Sequence, residues 1–447
     1  EKIMKRKILL LTVTAGEGHN SITNALKTEL SADPQNDIRV IDIFKKYGKP
    51  SKASFINDGY ILACKYALPL YNMVFKKLQA NDPEEKRYRN PAQNIVDYET
   101  PMLLADIYDF KPDVIICAHF YCGMMITNLR KKYPIPATTI SILFDYTVHP
   151  FWECSTGIDY LITPTASLHD TLIYKGYKPE QLLPLGIPVR HDFSKCVTKK
   201  APCHELNLDP NLFTVMVMLG GGGFGGSEKI VKKLLKAKTE LQILVVNGKD
   251  TAGKHRIDII KKTAKTNHEI VSYGFINFVP TVMSASDLIV GKCGGVTVNE
   301  SLNRERVLCL NKKLAQQEFD NMVYLAGEHS TVIYDDKLND LPYVVDDLAQ
   351  HPQKLEYYLS NIRRIRKPNA LSDIVHLIKS FPAIDYSQIN TLVPNEKQIR
   401  KDLHKILSAE HEDMKKSKKV KRKFETSASA IEIAEKLEAD KAEKIAK

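Results

Sequence analysis

Short apolar runs alternate with amphipathic stretches along most of the chain. Lys7–Val13 reads as a buried strand, and Ser21–Leu30 as a helix with Ile22, Ala25, Leu26 and Leu30 on one face. Arg39–Ile43, Asp113–Ala118, Thr138–Phe144 and Tyr160–Thr163 read as further strands, and Leu182–Pro184 leads into Gly186-Ile-Pro188. After a polar stretch, Lys195–Asn211, the pattern restarts. Phe213–Leu219 runs into Gly220-Gly-Gly-Gly-Phe-Gly-Gly226 and then a helix, Ser227–Lys236. Leu241–Val246, Glu269–Gly274, Leu288–Val290, Val307–Leu310 and Thr331–Tyr334 continue the strand series, and Asn369–Lys379 reads as a helix with a stripe of Leu371, Ile374, Val375 and Ile378. Strands alternating with helices predict parallel, doubly wound sheets. The restart predicts two similar α/β halves: 1–195, a linker at 196–210, and 211–380, with the last helix able to pack back on the first half. Residues 381–447 read as a basic tail, helical or disordered, with an amphipathic helix marked by Ile399, Leu403, Ile406 and Leu407.

The bulk numbers narrow the class. The chain has 447 residues, 43% hydrophobic and 26% charged, with a formal net charge of +11. Such a balance suits a globular protein with an anionic partner: a nucleotide, nucleic acid or an acidic membrane. Much of the positive excess lies near the C-terminus, in Lys415-Lys-Ser-Lys-Lys-Val-Lys-Arg-Lys423. Near an anionic bilayer each such charge adds ~1 kcal/mol; no aromatics interleave as single-strand nucleic-acid binders require. No apolar run is long enough to span a bilayer. The N-terminal Ile8–Val13 run reads as a first strand rather than an export signal. The eight cysteines form no C-x-x-C pair and read as buried free thiols in a reducing cytoplasm.

The chemistry concentrates where strands end. Asp287-Leu-Ile-Val290 runs into Gly294 and Gly295 and then a helix beginning Val296-Thr297. That junction aims backbone N–H groups and a positive helix end at an anion. Glu300, a turn into the helix, can accept hydrogen bonds from sugar hydroxyls, and a second polar cluster follows in Gln317, Glu318 and Asn321. Diphosphate and sugar recognition need these parts. The six glycines of Gly220–Gly226, with Gly221, Gly222 and Gly223 at the centre, bring backbone close to a ligand or let the loop move. Asn247-Gly248 ends another strand of this half, and Phe275-Ile276 follows the next.

In the first half, Gly16-Glu-Gly18-His19-Asn-Ser21 makes a tight strand-to-helix turn. It lacks the Lys-Ser/Thr of a Walker loop and the third glycine of a dinucleotide fingerprint, although Asp42 would suit a ribose contact. His19 at a helix start is favoured as neutral imidazole, which can take a proton from a hydroxyl. Asp145 and His149 follow a strand at the edge where open α/β sheets bind ligands, and the only tryptophan, Trp152, lies beside them. For Phe151 and Trp152 a core aromatic cluster is an equal alternative. Phe55–Phe75 is aromatic-rich, with Tyr60, Tyr71 and Phe75 ahead of Lys76 and Lys77. This reads either as a membrane-interface segment or as a buried helix pair. No metal-ligand spacing is visible: His119 stands alone in the sequence, and Asp335-Asp336 and Asp346-Asp347 lack strand-end context.

Together these motifs resemble the monogalactosyldiacylglycerol synthase and processive diacylglycerol glucosyltransferase family, related to the GlcNAc transferase of peptidoglycan lipid synthesis. The resemblance spans roughly residues 5–380. It rests on Thr14-Ala-Gly-Glu-Gly-His-Asn-Ser21, Asp145-Tyr-Thr-Val-His-Pro-Phe-Trp152, Gly186-Ile-Pro-Val189, Tyr273-Gly-Phe-Ile276, Gly294–Glu300 and Gln317-Glu-x-x-Asn321. This chain has Lys292-Cys-Gly-Gly295 where the family often has Lys-Pro-Gly-Gly, and Asn311–Gln316 replaces its short Pro-rich approach to Gln-Glu. The resemblance implies a GT-B fold, two Rossmann-like domains facing across a cleft. It also implies inverting transfer of a hexose from a UDP-sugar to diacylglycerol or a glycosyl-diacylglycerol on the inner face of the cell membrane, with no metal or other cofactor. The implied base is His19, with Asp145 as its substitute or partner. Glu300 is expected on ribose, Gln317 and Glu318 on the hexose, and the backbone at Phe275 and Ile276 on uracil. The lipid is expected near Tyr60, Tyr71, Phe75, His149 and Trp152. No nucleic-acid partner is expected. Four rival expectations are a transferase of GlcNAc to another lipid, a UDP-sugar epimerase of the same fold, a dinucleotide oxidoreductase built on Gly16, Gly18 and Asp42, and a non-enzymatic lipid-surface adaptor.

Overall fold

The computed structural model describes residues 5–14, 17–47, 102–131, 133–219, 226–311, 316–328, 331–335 and 340–387. Strands β1 (Arg6–Thr12), β2 (Asn36–Asp42), β3 (Val114–Cys117), β4 (Thr138–Ile142), β5 (Tyr160–Ile162) and β6 (Leu182–Leu183) make one parallel sheet in the order β2-β1-β3-β4-β5-β6. Strands β7 (Phe213–Met218), β8 (Leu241–Val246), β9 (Glu269–Tyr273), β10 (Leu288–Gly291), β11 (Val307–Asn311) and β12 (Val332–Asp335) make the second, in the order β12-β11-β10-β7-β8-β9. The central strands are buried on both faces, which is why they read as unbroken apolar runs. Phe144 leaves the predicted fourth strand because β4 ends at Ile142, freeing the residues beyond it to cross toward the other lobe.

Each sheet changes direction once: between β1 and β3 in the first lobe and between β7 and β10 in the second. Ligands of open α/β sheets bind at such switch points, beyond the strand C-termini. Chain order therefore puts the turn after β1, with His19, beside the residues after β3. It also puts the C-terminal end of β7 beside the Gly294–Gly295 turn after β10.

The lobes are joined by two chain crossings. On the way out, Arg304 donates to the carbonyls of Asp192 and Lys195 (2.6 Å), and Arg306 to that of Val197 (3.1 Å), lashing 192–197 to the second lobe. On the way back, the Ala370–Ser380 helix packs on the first lobe. Arg6 donates to Ile378 O (2.9 Å) and Phe381 O (2.8 Å), and Lys379 pairs with Asp33 at 3.0 Å. Residues 381–387 continue the packing: Tyr386 Oη donates to Pro112 O at 2.6 Å and the Ile384 amide to Asp113 at 2.7 Å. The sequence reading assigned this stretch to the tail. The two crossings meet at Gly186, where φ is +99° and a Cβ would lie 2.5 Å from Lys367 Cβ. Among the described residues no helix is long and apolar enough to cross a membrane.

Gly186→Ala forces both a left-handed alanine and a clash between the crossings. Urea unfolding of the variant should show a loss of roughly 1–3 kcal/mol, and unchanged stability would contradict the packing of the two crossings.

Candidate active site between the lobes

Three histidines line the C-terminal edge of the first sheet. His19 lies in the first turn of the Glu17–Ser31 helix, after β1; His119 follows β3, and His149 follows β4. The His19 and His119 rings are 4.3 Å apart and edge-on; Phe120 lies 4.1 Å from His119 and stacks on His149 at 4.8 Å. Backbone geometry fixes each tautomer. His19 Nδ1 lies 3.0 Å from the Ala118 carbonyl, which can only accept, so Nδ1 carries the proton and Nε2 is the acceptor. His119 Nδ1 instead accepts from the Tyr121 amide (3.0 Å), capping the Phe120–Arg130 helix, and His149 Nδ1 accepts from the Phe151 amide (3.1 Å). Their proton sits on Nε2.

All three rings are held neutral. Burial lowers His19 to about 4, against the opposing pull of the Ala118 carbonyl. Burial, with Lys175 adding to it, lowers His149 to about 3. Burial and the neighbouring imidazoles hold His119 well below the usual range. His19 is therefore an unprotonated base at neutral pH, with a weak intrinsic basicity set by its desolvation.

The facing wall is the start of the Gly295–Asn303 helix. Its N-cap, Gly294, has extended backbone and no capping side chain. This helix start packs against the first lobe. A Cβ on Gly18 would lie 3.4 Å from Val296 Cγ2, and a Cβ on Gly295 would collide with the Phe144 carbonyl. Only glycine fits at 295. Glu318 reaches toward the same turn, its Oε1 lying 3.9 Å from where a Gly294 Cβ would be. Thr297 and Gln317 are partly exposed. Glu300 sits partly buried beside the outgoing crossing. Burial pushes its carboxyl up to about 8, with Arg190 pulling down and Asp192 adding to the rise. Phe275 is 72% exposed, with Ile276 half-buried behind it. Gly248 has a left-handed backbone, φ +56°.

Several residues named from sequence are placed differently. Asn321 was expected to touch the donor. It is instead fully buried: its Nδ2 donates to Asp145 Oδ1 (2.8 Å) and Cys293 O (3.0 Å), and its Oδ1 accepts from the Tyr146 amide (2.7 Å). Every polar atom of the side chain is spent holding the lobes together. Asn247, also assigned to the donor, accepts from Ser227 Oγ (2.8 Å) and donates to Tyr273 O (3.2 Å), so it fastens the Ser227–Leu234 helix to β9. Trp152 is 4% exposed, with Tyr177 Oη donating to its carbonyl at 2.9 Å; it packs in the first-lobe core, not on a lipid-facing surface. Asp42 accepts from Thr14 Oγ1 and from the Lys45 amide (3.2 Å), capping the short helix that follows β2. Gly221, Gly222, Gly223, Tyr60, Tyr71 and Phe75 lie outside the described residues.

Asp145 stays in the cleft. Burial raises it to about 6, opposed by the Asn321 donation and helped by Asp320. Its neighbours complete a latch that the sequence did not reveal: Tyr146 Oη donates to Asn299 Oδ1 (3.0 Å), Tyr146 stacks on Tyr324 at 4.9 Å, and Thr147 Oγ1 donates to Asp320 (3.3 Å). His119 was also missed. Its only sequence signal was its place after an apolar strand, the position His19 occupies after β1.

Residues 19–189 match the family model for monogalactosyldiacylglycerol (MGDG) synthase, and residues 193–378 match the glycosyltransferase family 28 C-terminal domain. The two matches are consecutive and fall one on each lobe. Among curated proteins similar to this chain, a processive diacylglycerol beta-glucosyltransferase of Staphylococcus epidermidis is 23% identical over 360 residues, 80% of this chain and 88% of that protein. A probable chloroplastic monogalactosyldiacylglycerol synthase 2 of Oryza sativa is 26% identical over 396 residues, 85% of this chain and 82% of that one. The crystal structure of Acinetobacter baumannii MurG superposes with a TM-score of 0.54 at 12% identity, over 84% of this chain and 99% of that one. UDP-GlcNAc 2-epimerase of Neisseria meningitidis does so with 0.52 at 13% identity, over 84% and 100%. The architecture is GT-B: two parallel α/β domains, each matched by one of the two family models.

Because Asn321 is a latch rather than a sugar contact, Asn321→Ala should lower unfolding stability by about 1–3 kcal/mol for each buried partner left unsatisfied. It should also expand the particle in small-angle scattering. A compact, equally stable variant with only a raised KM for the sugar nucleotide would restore the donor-contact role.

Proposed function

We propose that this protein is an inverting glycosyltransferase that moves a hexose from a UDP-sugar to the hydroxyl of a diacylglycerol-type lipid. One observation carries the reading: the neutral, acceptor-form His19 of one lobe directly follows Gly18, which packs against Val296 in the uncapped helix start of the other. The names of the curated relatives support the lipid acceptor.

In the proposed reaction His19 Nε2 takes the proton of the lipid hydroxyl as its oxygen attacks the anomeric carbon from the face opposite UDP. The glycosidic C–O bond to UDP breaks as the new one forms, and the configuration inverts. Negative charge grows on the departing diphosphate. The amides of Gly295, Val296 and Thr297 and the positive helix end receive it; one preorganised donor of this type contributes about 3–4 kcal/mol. Thus the proposal needs no metal or other cofactor. Glu300, whose carboxyl is largely protonated at neutral pH, binds ribose hydroxyls as donor or acceptor. Gln317 and Glu318 hold the hexose, and the Phe275–Ile276 backbone faces the base. Asp145 orients the acceptor loop beside His19. His149 lines the lipid side, and the protein works as a peripheral enzyme on an anionic bilayer at the inner face of the cell membrane.

Mass spectrometry of lipids formed by the purified protein from a panel of UDP-hexoses tests the whole reading; sugar nucleotide that is only hydrolysed or isomerised, with no glycolipid, overturns it. His19→Ala should abolish transfer and leave UDP affinity within about twofold by calorimetry, since only the proton acceptor is lost. Glu300→Ala should act in the opposite sense, weakening UDP binding about tenfold, equivalent to roughly 1.4 kcal/mol; an unchanged dissociation constant would remove Glu300 from the ribose.

A further inference from the structure

Two histidines side by side at the switch point have opposite polarity. His19 presents a bare Nε2, because its Nδ1 proton is held by the Ala118 carbonyl at 3.0 Å. His119, whose ring is 4.3 Å away, presents Nε2–H, because its Nδ1 is occupied as an acceptor by the Tyr121 amide at 3.0 Å. Neither ring can exchange roles without losing its backbone bond. Protonation of His119 would also break that bond, so it stays a neutral donor. Both rings are partly buried, so a molecule docked against His19 meets the edge of His119 as well.

The pair thus offers one hydrogen-bond acceptor and one fixed donor on rings whose centroids are 4.3 Å apart. A ligand that satisfies both has a hydroxyl with a carbonyl-type oxygen close by, an oxygen that can only accept. Diacylglycerol has this arrangement: its single hydroxyl lies next to the ester carbonyl on the adjacent glycerol carbon. We infer that His119 is a specificity-determining residue for the acceptor, donating Nε2–H to that ester carbonyl while His19 addresses the hydroxyl. This inference deepens the proposed function and rests on its acceptor class. It assigns recognition of the ester linkage, and hence of acyl as opposed to alkyl glycerolipid, to a residue in the first lobe. An apolar pocket alone does not give such discrimination, because ester and ether chains differ little in shape or apolar area. A buried polar donor left unpaired by the ether does give it.

The test uses the full chain and the UDP-sugar that turns over fastest. Dioleoylglycerol is compared with its dioleyl ether analogue, which has the same hydroxyl and no carbonyl, in identical mixed micelles. Wild type should favour the ester in kcat/KM by about fivefold to tenfold, the value of one hydrogen bond. His119→Asn keeps an accepting oxygen to cap the Phe120–Arg130 helix but removes Nε2–H. Its ester-to-ether ratio should fall toward one, with UDP affinity unchanged by calorimetry. His119→Ala loses the cap as well and should add a drop in melting temperature that His119→Asn lacks. An ester-to-ether ratio that is the same in wild type and His119→Asn overturns the inference. So does a His119→Asn defect confined to glycosyl-diacylglycerol acceptors, which would place a sugar hydroxyl on His119. A wild type that transfers to neither glycerolipid overturns the acceptor class itself, a separate failure.

Discussion

The arrangement depends on how the residues after β4 are gripped by the second lobe. Asp145, Tyr146 and Thr147 leave the first sheet and are held by Asn321, Asn299 and Asp320 through bonds of 2.7–3.3 Å. The grip is polar and buried, so its free-energy value lies less in the bonds made than in the cost of leaving their partners dry and unpaired. Closely approaching backbone is part of the same constraint. Gly295 has no side chain because the Phe144 carbonyl occupies the space where a Cβ would be. The glycines that look from sequence like a phosphate cradle are therefore also the condition for the lobes to touch.

Low dielectric follows from that contact and sets the chemistry. The same burial moves acids and bases in opposite directions: His19 falls to about 4, while Asp145 rises to about 6 and Glu300 to about 8. Each group is pushed toward its neutral form. Burial thus makes His19 a weaker base and Asp145 and Glu300 weaker acids than they are in water. The lash of Arg304 and Arg306 on the outgoing crossing, and of Arg6 on the returning helix, keeps the two walls from separating through their connections.

Much of this was legible in one dimension. Unbroken apolar runs such as Val114–Cys117 and Leu241–Val246 announced strands buried on both faces, and β8 has the predicted ends. The restart after residue 195 announced the second lobe. Edges were less legible. His19 sits within the first helical turn rather than ahead of it, and Ile43, predicted at a strand end, begins a short helix capped by Asp42. Asn321 and Asn247 were misread for one reason: an amide in a polar motif looks the same whether it faces ligand or protein, and only the partner atoms tell them apart. Trp152 was ambiguous between core and surface for a similar reason, since aromatic side chains serve both.

The sequence by itself determined which residues end the strands, because apolar periodicity and glycine placement are local properties of the chain. Strand ends are where open parallel sheets bind ligands, so the sequence pointed to His19, Asp145, Gly294 and Glu300 as candidates. The order of the strands was decided only in three dimensions. By pairing β1 with β3, a contact between segments about a hundred residues apart, the fold brought His119 against His19. Backbone carbonyls and amides supplied by that pairing then fixed which nitrogen of each ring carries its proton. A histidine's tautomer depends on what its other nitrogen touches, and no local pattern of residues encodes that neighbour.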